Sequence, residues 1–255
     1  MTETQLKPAG AGVKAPGGVY ARWIKRALDF VLSLCAILVL SPLLLLLTVI
    51  GAIAMKGNPF FVQPRPGKKE ANGEEKIFKL IKFRTMSNAR DKDGNLLPDN
   101  KRLGRYGALL RSTSLDELPS LVNILLGHLA VIGPRPQLVR DMVFMTAEQR
   151  RRHDVRPGLT GLAQVNGRNN ITWEQKFAYD LAYIDEGITL TGDVKILLKT
   201  VGKVLKRADT VREGTVSDMD FGDWLVQEGK VAEDEYQEKQ AVAKMMLREG
   251  TGAMV

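Results

Sequence analysis

The stretch 31–54, VLSLCAILVLSPLLLLLTVIGAIA, carries no charged side chain and decides how the rest of the chain is read. As a helix rising about 1.5 Å per residue it reaches ~36 Å, enough to cross a hydrocarbon core of roughly 30 Å. It is too long for the apolar part of a secretory signal. No small-residue cleavage site follows it, and the chain turns basic at once. Two features oppose a simple crossing. Ser41-Pro42 stands in the middle of the run, and proline lacks a backbone donor and clashes with the preceding turn, so a bend or break is expected there. The Ser41 hydroxyl is placed to reach back to a freed carbonyl. Basic residues also flank both ends, with Arg22, Lys25 and Arg26 before the run and Lys56, Arg65, Lys68 and Lys69 after it. A spanning helix puts one cluster outside, against the positive-inside tendency. A helix that dips in, turns at Ser41-Pro42 and returns keeps both clusters cytosolic. Each half is then about 12 residues, ~18 Å, too short to cross singly. The re-entrant helix is the favoured reading, and a kinked spanning helix is the alternative.

Around this run, 255 residues suffice for one sizeable domain with an appendage. A net charge of +8 asks for an anionic partner: nucleic acid, anionic lipid or a phosphorylated substrate. A single cysteine, Cys35, excludes an intramolecular disulfide. With only His128 and His153, a zinc site of the His/Cys kind is not expected. Residues 1–18, rich in Gly, Pro, Ala and Lys, read as a disordered tail. Residues 60–63 and 77–83 read as two short strands, joined through Pro64, Pro66, Gly67 and Asn72-Gly73. Residues 90–100 read as a polar loop, 119–131 as a half-buried helix, and 146–153 as a basic helix closed by Pro157-Gly158. In 193–207, DVKILLKTVGKVLKR, Val194, Leu198, Val201 and Leu205 share one helical face and Lys195, Lys199 and Lys203 another. That pattern suits a surface helix on its own core, or an interfacial helix with its lysines toward anionic headgroups. A last helix is expected over about residues 230–248.

Four clusters carry candidate chemistry. Lys82-Phe83-Arg84-Thr85-Met86 ends the second strand with two cations. Arg111-Ser112-Thr113-Ser114-Leu115-Asp116-Glu117-Leu118-Pro119 sets adjacent carboxylates behind an arginine and three hydroxyls. Gly133-Pro134-Arg135-Pro136 fixes an arginine between two prolines, and residues 161–169 place Arg168 in a polar loop. Ser114 and Glu117 also suit a plain capping box. Pro119 weakens that, since it would fall inside such a helix; a helix starting near Pro119 leaves both carboxylates at its mouth. Together, Lys82, Arg84, Arg111, Arg135 and Arg168 supply the cations a diphosphate requires. One carboxylate is suited to Mg²⁺, which binds through one or two carboxylates plus substrate phosphates. The other is suited to act as a nucleophile.

The apolar run broken at Ser41-Pro42, then Lys82–Met86, Ser112–Pro119, Gly133–Pro136 and Pro157-Gly158-Leu159-Thr160-Gly161, occur in one order that resembles the monotopic phosphoglycosyl transferases among bacterial sugar transferases. Within them the likeness is to the small, single-domain kind that starts glycan assembly on undecaprenyl phosphate, most of all the branch handling N,N'-diacetylbacillosamine 1-phosphate. It covers about residues 25–207. The resemblance implies a mainly α fold with a small β-hairpin: a re-entrant membrane helix over 19–57 and a compact cytosolic sugar-transferase domain over 58–210 with interfacial amphipathic helices; the 1–18 tail and an extension over 211–255 fall outside it. It implies a UDP-sugar donor, undecaprenyl phosphate as acceptor, Mg²⁺, and attachment to the cytosolic face of the bacterial inner membrane. Asp116 becomes the nucleophile that carries the phosphosugar while UMP leaves, and Glu117, with Asp116, a metal partner. Lys82, Arg84, Arg111 and Arg135 become substrate contacts, and Arg168 is assigned to the nucleotide side. The product feeds assembly of a glycoprotein, O-antigen or capsule glycan, with membrane lipids and downstream glycosyltransferases as partners and no nucleic acid. A non-catalytic membrane scaffold that binds nucleotide-sugar or polyprenyl phosphate is the rival reading.

Overall fold

The computed structural model describes residues 18–167, 170–206 and 219–252. Among them the chain is mainly helical, with one β-hairpin and one short parallel strand pair. After a π-helical turn, Tyr20–Ile24, the apolar run becomes one long helix, α1 (Lys25–Ala54). The break expected at Ser41-Pro42 does not divide it, because the backbone stays helical with Pro42 inside. The physical reason is local. Pro42 has no N–H for the carbonyl four residues back, and the Ser41 hydroxyl donates to that same Leu38 carbonyl at 2.8 Å.

One stripe of α1 meets the rest of the molecule from end to end: Asp29, Ser33, Ala36 and Ile37, Leu40, Leu43 and Leu44, Leu47 and Gly51. Spacings of three and four keep them on a single face. The opposite face stays exposed, with Leu38, Val39, Leu45, Leu46 and Ile53 facing out. Only 11% of its most apolar stretch is buried, unlike the core helix of a soluble protein. Both ends are tied to the same body. Lys25 pairs with Asp193 at 2.7 Å, and Asp29 accepts the Val131 N–H at 3.0 Å. At the far end the Tyr106 hydroxyl donates to the Leu47 carbonyl at 3.1 Å.

Strands β1 (Phe60–Lys69) and β2 (Glu75–Phe83) pair antiparallel from Phe60↔Phe83 to Lys69↔Glu75, with a register shift between Pro66 and Lys69. They are longer than the sequence suggests, and β1 contains Pro64 and Pro66. A two-stranded hairpin tolerates this because each strand is an edge. Helices α2 (Asp99–Arg102) and α3 (Arg105–Thr113), a 3-10 turn Leu115–Glu117 and α4 (Ser120–Leu125) follow. The helix expected over 119–131 stops early, at a turn with Gly127 at φ 83°, and its last residues form β3 (Ala130–Ile132). After α5 (Val139–Met142), the basic segment is a 3-10 helix at Gln149–Asp154, and β4 (Gly158–Thr160) lies parallel to β3. Next come α6 (Leu162–Val165), α7 (Trp173–Asp185) and α8 (Leu190–Lys206), with a complete capping box at Thr172 and Gln175 opening α7. Of α8, Asp193 and Ile196 are buried, while Val194, Leu197, Leu198 and Val201 are exposed. Its apolar face is therefore not packed on its own core.

The C-terminal residues, which the sequence leaves without a readable role, form α9 (Phe221–Gln227) and α10 (Glu233–Gly252). Phe221 and Leu225 join a core cluster with Phe144, Trp173 and Phe177. Ala243 packs on Val139 and Met142. The 1–18 tail lies outside the described residues except for Gly18.

Candidate active site

The carboxylate pair is held by the far side of the hairpin. Ile81 N–H and Lys79 C=O of β2 bond to the Asn123 side chain at 3.0 and 2.8 Å, and the Ser120 hydroxyl donates to Ile81 C=O at 2.8 Å. Both Ser120 and Asn123 are buried, so α4 satisfies polar groups that would otherwise be stranded. This stitch brings the residues just before α4 beside Lys82. Pro119 is the N-cap of α4, and Asp116 and Glu117 precede it in their 3-10 turn, as the reading from Pro119 expects. Ser114 makes the corner at φ 56°, where it ends α3 through its backbone N–H, and its side chain does not cap the 3-10 turn. The Ser112 and Thr113 hydroxyls donate to Leu109 C=O, so these two serve the end of α3 rather than a substrate.

Glu117 Oε1 accepts from Lys82 Nζ at 2.8 Å and from Arg135 at 2.9 Å. Burial pushes the Lys82 ammonium down, while Glu117 favours its charged form. Asp116 is raised from the ordinary carboxylate range, first by burial and then by Glu117 beside it; Lys82, Arg135 and Arg111 oppose the rise. Arg111 comes from α3, with Nε on the Thr85 hydroxyl at 3.0 Å. Its helix sits hard against the end of β2, since a Cβ on Gly107 would lie 1.9 Å from Thr85 C=O.

Arg135 arrives through two motifs that are separate in sequence and interlocked in space. Gly133 N–H donates to Thr160 C=O at 2.9 Å and Gly158 N–H to Pro134 C=O at 2.8 Å. A Cβ at Gly158 would lie 2.1 Å from Gly133 N, and one at Gly161 2.1 Å from Gly133 C=O. The backbones touch, which explains why both motifs need glycine. Below them, buried Arg152 donates to Arg135 C=O at 2.7 Å and pairs with Asp180 at 2.5 Å.

These groups open on a cavity of about 520 Å³, lined by Lys82, Arg84, Arg111, Asp116, Glu117 and Arg135 on one side. Its volume lies in the usual range for ligand sites. Four of the five cations singled out from sequence, Lys82, Arg84, Arg111 and Arg135, line this cavity with the acidic pair; Arg168 lies outside the described residues. The sequence reading missed the rest of the lining: Arg65, Asp141, Trp173, Lys176, Asp180 and Asp220, with Gln164 from the polar loop it had named. Arg65 carried a signal, since it stands between Pro64 and Pro66 as Arg135 stands between Pro134 and Pro136. It donates to Pro136 C=O at 3.1 Å, and burial lowers its guanidinium to about 10. Gln164 is buried with both amide atoms unpartnered, and Asp180 Oδ1 is likewise unpartnered. Polar atoms left so in a cavity wall are groups a ligand would satisfy.

Among the described residues no three His, Cys, Asp or Glu side chains cluster as a metal cage. Two adjacent carboxylates in an open, cation-lined cavity are instead the sparse set that Mg²⁺ uses when phosphate oxygens complete its shell. The donor chemistry fits that ion.

The sequence has relatives among known proteins. A family model described as bacterial sugar transferase matches residues 20–207. An uncharacterized sugar transferase of Bacillus subtilis, EpsL, is 46% identical over 184 residues, covering 71% of this chain and 87% of that protein. The UDP-glucose:undecaprenyl-phosphate glucose-1-phosphate transferase of Caulobacter vibrioides is 35% identical, with 74% of each chain covered. The protein of the same name from Klebsiella pneumoniae is 37% identical over 70% of this chain, which spans only 39% of that longer relative.

Proposed function

We propose a reaction from one premise: the chain belongs to the bacterial sugar transferase family. It is a phosphoglycosyl transferase that moves a sugar 1-phosphate from a UDP-sugar to undecaprenyl phosphate. The observation that carries this reading is the Asp116-Glu117 pair at a cavity ringed by Lys82, Arg84, Arg111 and Arg135. A diphosphate donor needs cations, and displacement at phosphorus needs an in-line nucleophile held beside them. Asp116 is that nucleophile. Its carboxylate forms a bond to the phosphorus next to the sugar, and the bond from that phosphorus to the UMP oxygen breaks. Undecaprenyl phosphate then attacks the same phosphorus, releasing Asp116 and leaving a sugar joined to the lipid by diphosphate.

Glu117 has another task, because Lys82 and Arg135 both hold it. It sets these cations at the donor phosphates and, with Asp116, is the residue to hold Mg²⁺. That ion, when bound, neutralises charge on the phosphate oxygens. Burial and Glu117 raise the Asp116 carboxyl, and Lys82, Arg135 and Arg111 oppose that rise, favouring the ionised form the attack requires.

Monotopic attachment to the cytosolic face of the bacterial inner membrane completes the reading. One stripe of α1 packs on the catalytic body from Asp29 to Gly51, so a helix that crossed would have to carry that body with it. The exposed face of α1 and the exposed Val194, Leu197, Leu198 and Val201 of α8 suit immersion in lipid, with basic residues at the surface. In this reading α1 bends at Pro42 without its helix breaking, so that both ends lie at the same face of the membrane. In a Cys35→Ser background, cysteines introduced before and after α1 should be labelled from the same side.

The test of chemistry is turnover against a panel of UDP-sugars with undecaprenyl phosphate, joined to intact mass after donor alone. A phosphosugar adduct absent from Asp116→Asn is expected. Turnover by that variant, or an active enzyme that never forms the adduct, overturns the covalent route.

A further inference from the structure

We propose that Asp220, from the segment beyond the family match, is a specificity-determining residue that accepts hydrogen bonds from the hydroxyl or amide N–H groups of the transferred sugar. The inference rests on the reading of the cavity as the donor site. The family model ends at residue 207, yet Met219 and Asp220 line the same cavity as Asp116 and Glu117.

Their position is built into the fold. The Trp173 indole N–H donates to Met219 C=O at 3.3 Å, and Phe221 N–H donates to Asp141 Oδ1 at 2.8 Å. Gly222 lies flat on Phe144, where a Cβ would come within 2.6 Å of the ring. Phe221 is packed against Trp173 and Phe177, with ring centroids 5.2 and 5.0 Å away. Arg140 ties the corner down, pairing with Asp220 at 3.2 Å and Asp223 at 2.8 Å.

The lining around Asp220 mixes charges, with Arg65 and Lys176 beside Asp141, Asp180 and Asp220. Asp141 and Asp220 place two carboxylates in the cavity lining, and carboxylates repel a diphosphate. They suit neutral donors, above all sugar hydroxyls and amides. The location also points to the sugar rather than the nucleotide. Asp220 lies outside the family match, in a segment that can set this chain's donor apart from those of its relatives. Relatives are named for different sugars, with glucose in Klebsiella pneumoniae and galactose in Erwinia amylovora.

The experiment measures binding of UDP and of a panel of UDP-sugars to the full chain by calorimetry, with kcat/KM for each donor, in wild type, Asp220→Asn and Asp223→Asn. The last variant loosens the same Arg140 clamp without reaching the cavity. Asp220→Asn should weaken the preferred UDP-sugar about tenfold, reorder the panel and leave UDP affinity unchanged. Asp223→Asn should keep the order of donors. An unchanged order in Asp220→Asn, a parallel loss of UDP affinity, or the same reordering in Asp223→Asn overturns the proposal. A wild-type protein that binds neither UDP nor any UDP-sugar overturns the functional reading, and this proposal with it.

Discussion

Glu117 and Glu75 are two buried carboxylates, each facing two basic groups, and only one stands at a site. Glu117 is held by Lys82 and Arg135 and opens on a cavity beside a second carboxylate. Glu75 is sealed, its side chain fully buried against Arg150 and His153. Burial alone would raise Glu75, but His153 and Arg150 hold it at about 2. Burial likewise drives His153 to about 4, so a neutral ring donates its Nδ1–H to the ionised Glu75 over 3.0 Å. The contrast teaches that pairing does not mark a catalytic carboxylate. Access to a cavity, and a second carboxylate raised by burial beside it, set the Asp116-Glu117 pair apart from Glu75.

The comparison breaks if chemistry and stability do not separate. Asp116→Asn should cost the most, a fall in kcat of about 10⁴-fold with little change in melting temperature, read by product formation and thermal unfolding. Glu75→Ala should do the reverse. Removing one partner of a buried pair costs ~3–5 kcal/mol, seen as a lower urea midpoint, while kcat/KM per folded molecule stays within about twofold. Glu117→Gln should lie between them in activity, roughly 10²-fold down, with the loss in both steps because Lys82 and Arg135 lose their shared anchor.

Acid sharpens the contrast by its sign. Both His153 and Glu75 bind fewer protons in the fold than when unfolded. His153 therefore contributes stability at neutral pH that fades from about 6.5 toward 4, and Glu75 stability that fades from about 4.5 toward 2. Denaturant midpoints should fall steadily over that range, and Glu75→Ala should flatten the lower part. Activity should fade on acidification as well, by protonation of Asp116 above the usual carboxylate range. The smallest effect is expected at α1. Ser41→Ala leaves the Leu38 carbonyl without its hydroxyl, a loss of about 1 kcal/mol measured as earlier thermal inactivation in lipid nanodiscs.

What could be read before the structure follows from locality. The apolar run, the turn chemistry of Asn72-Gly73 and the place of Pro119 act over a few residues, so α1, the hairpin and the carboxylates at the mouth of α4 were legible. The strand β3 was lost inside an apolar stretch, because Ala130–Ile132 needs its partner at 158–160 to be a strand at all. The unbroken helix was misjudged at Pro42 for a subtler reason. The rule for proline counts the lost donor, and the Ser41 hydroxyl replaces it.

By itself, then, the sequence determined the long apolar helix, the order of the motifs and the acidic pair, since each depends on near neighbours along the chain. Tertiary structure alone decided that Lys82 and Arg135 converge on Glu117, that Gly133 and Gly158 interlock behind Arg135, and that Asp220 lines the same cavity. Those meetings join residues tens of positions apart, and only the packing of α4 on β2, and of α9 on α7, brings them within reach.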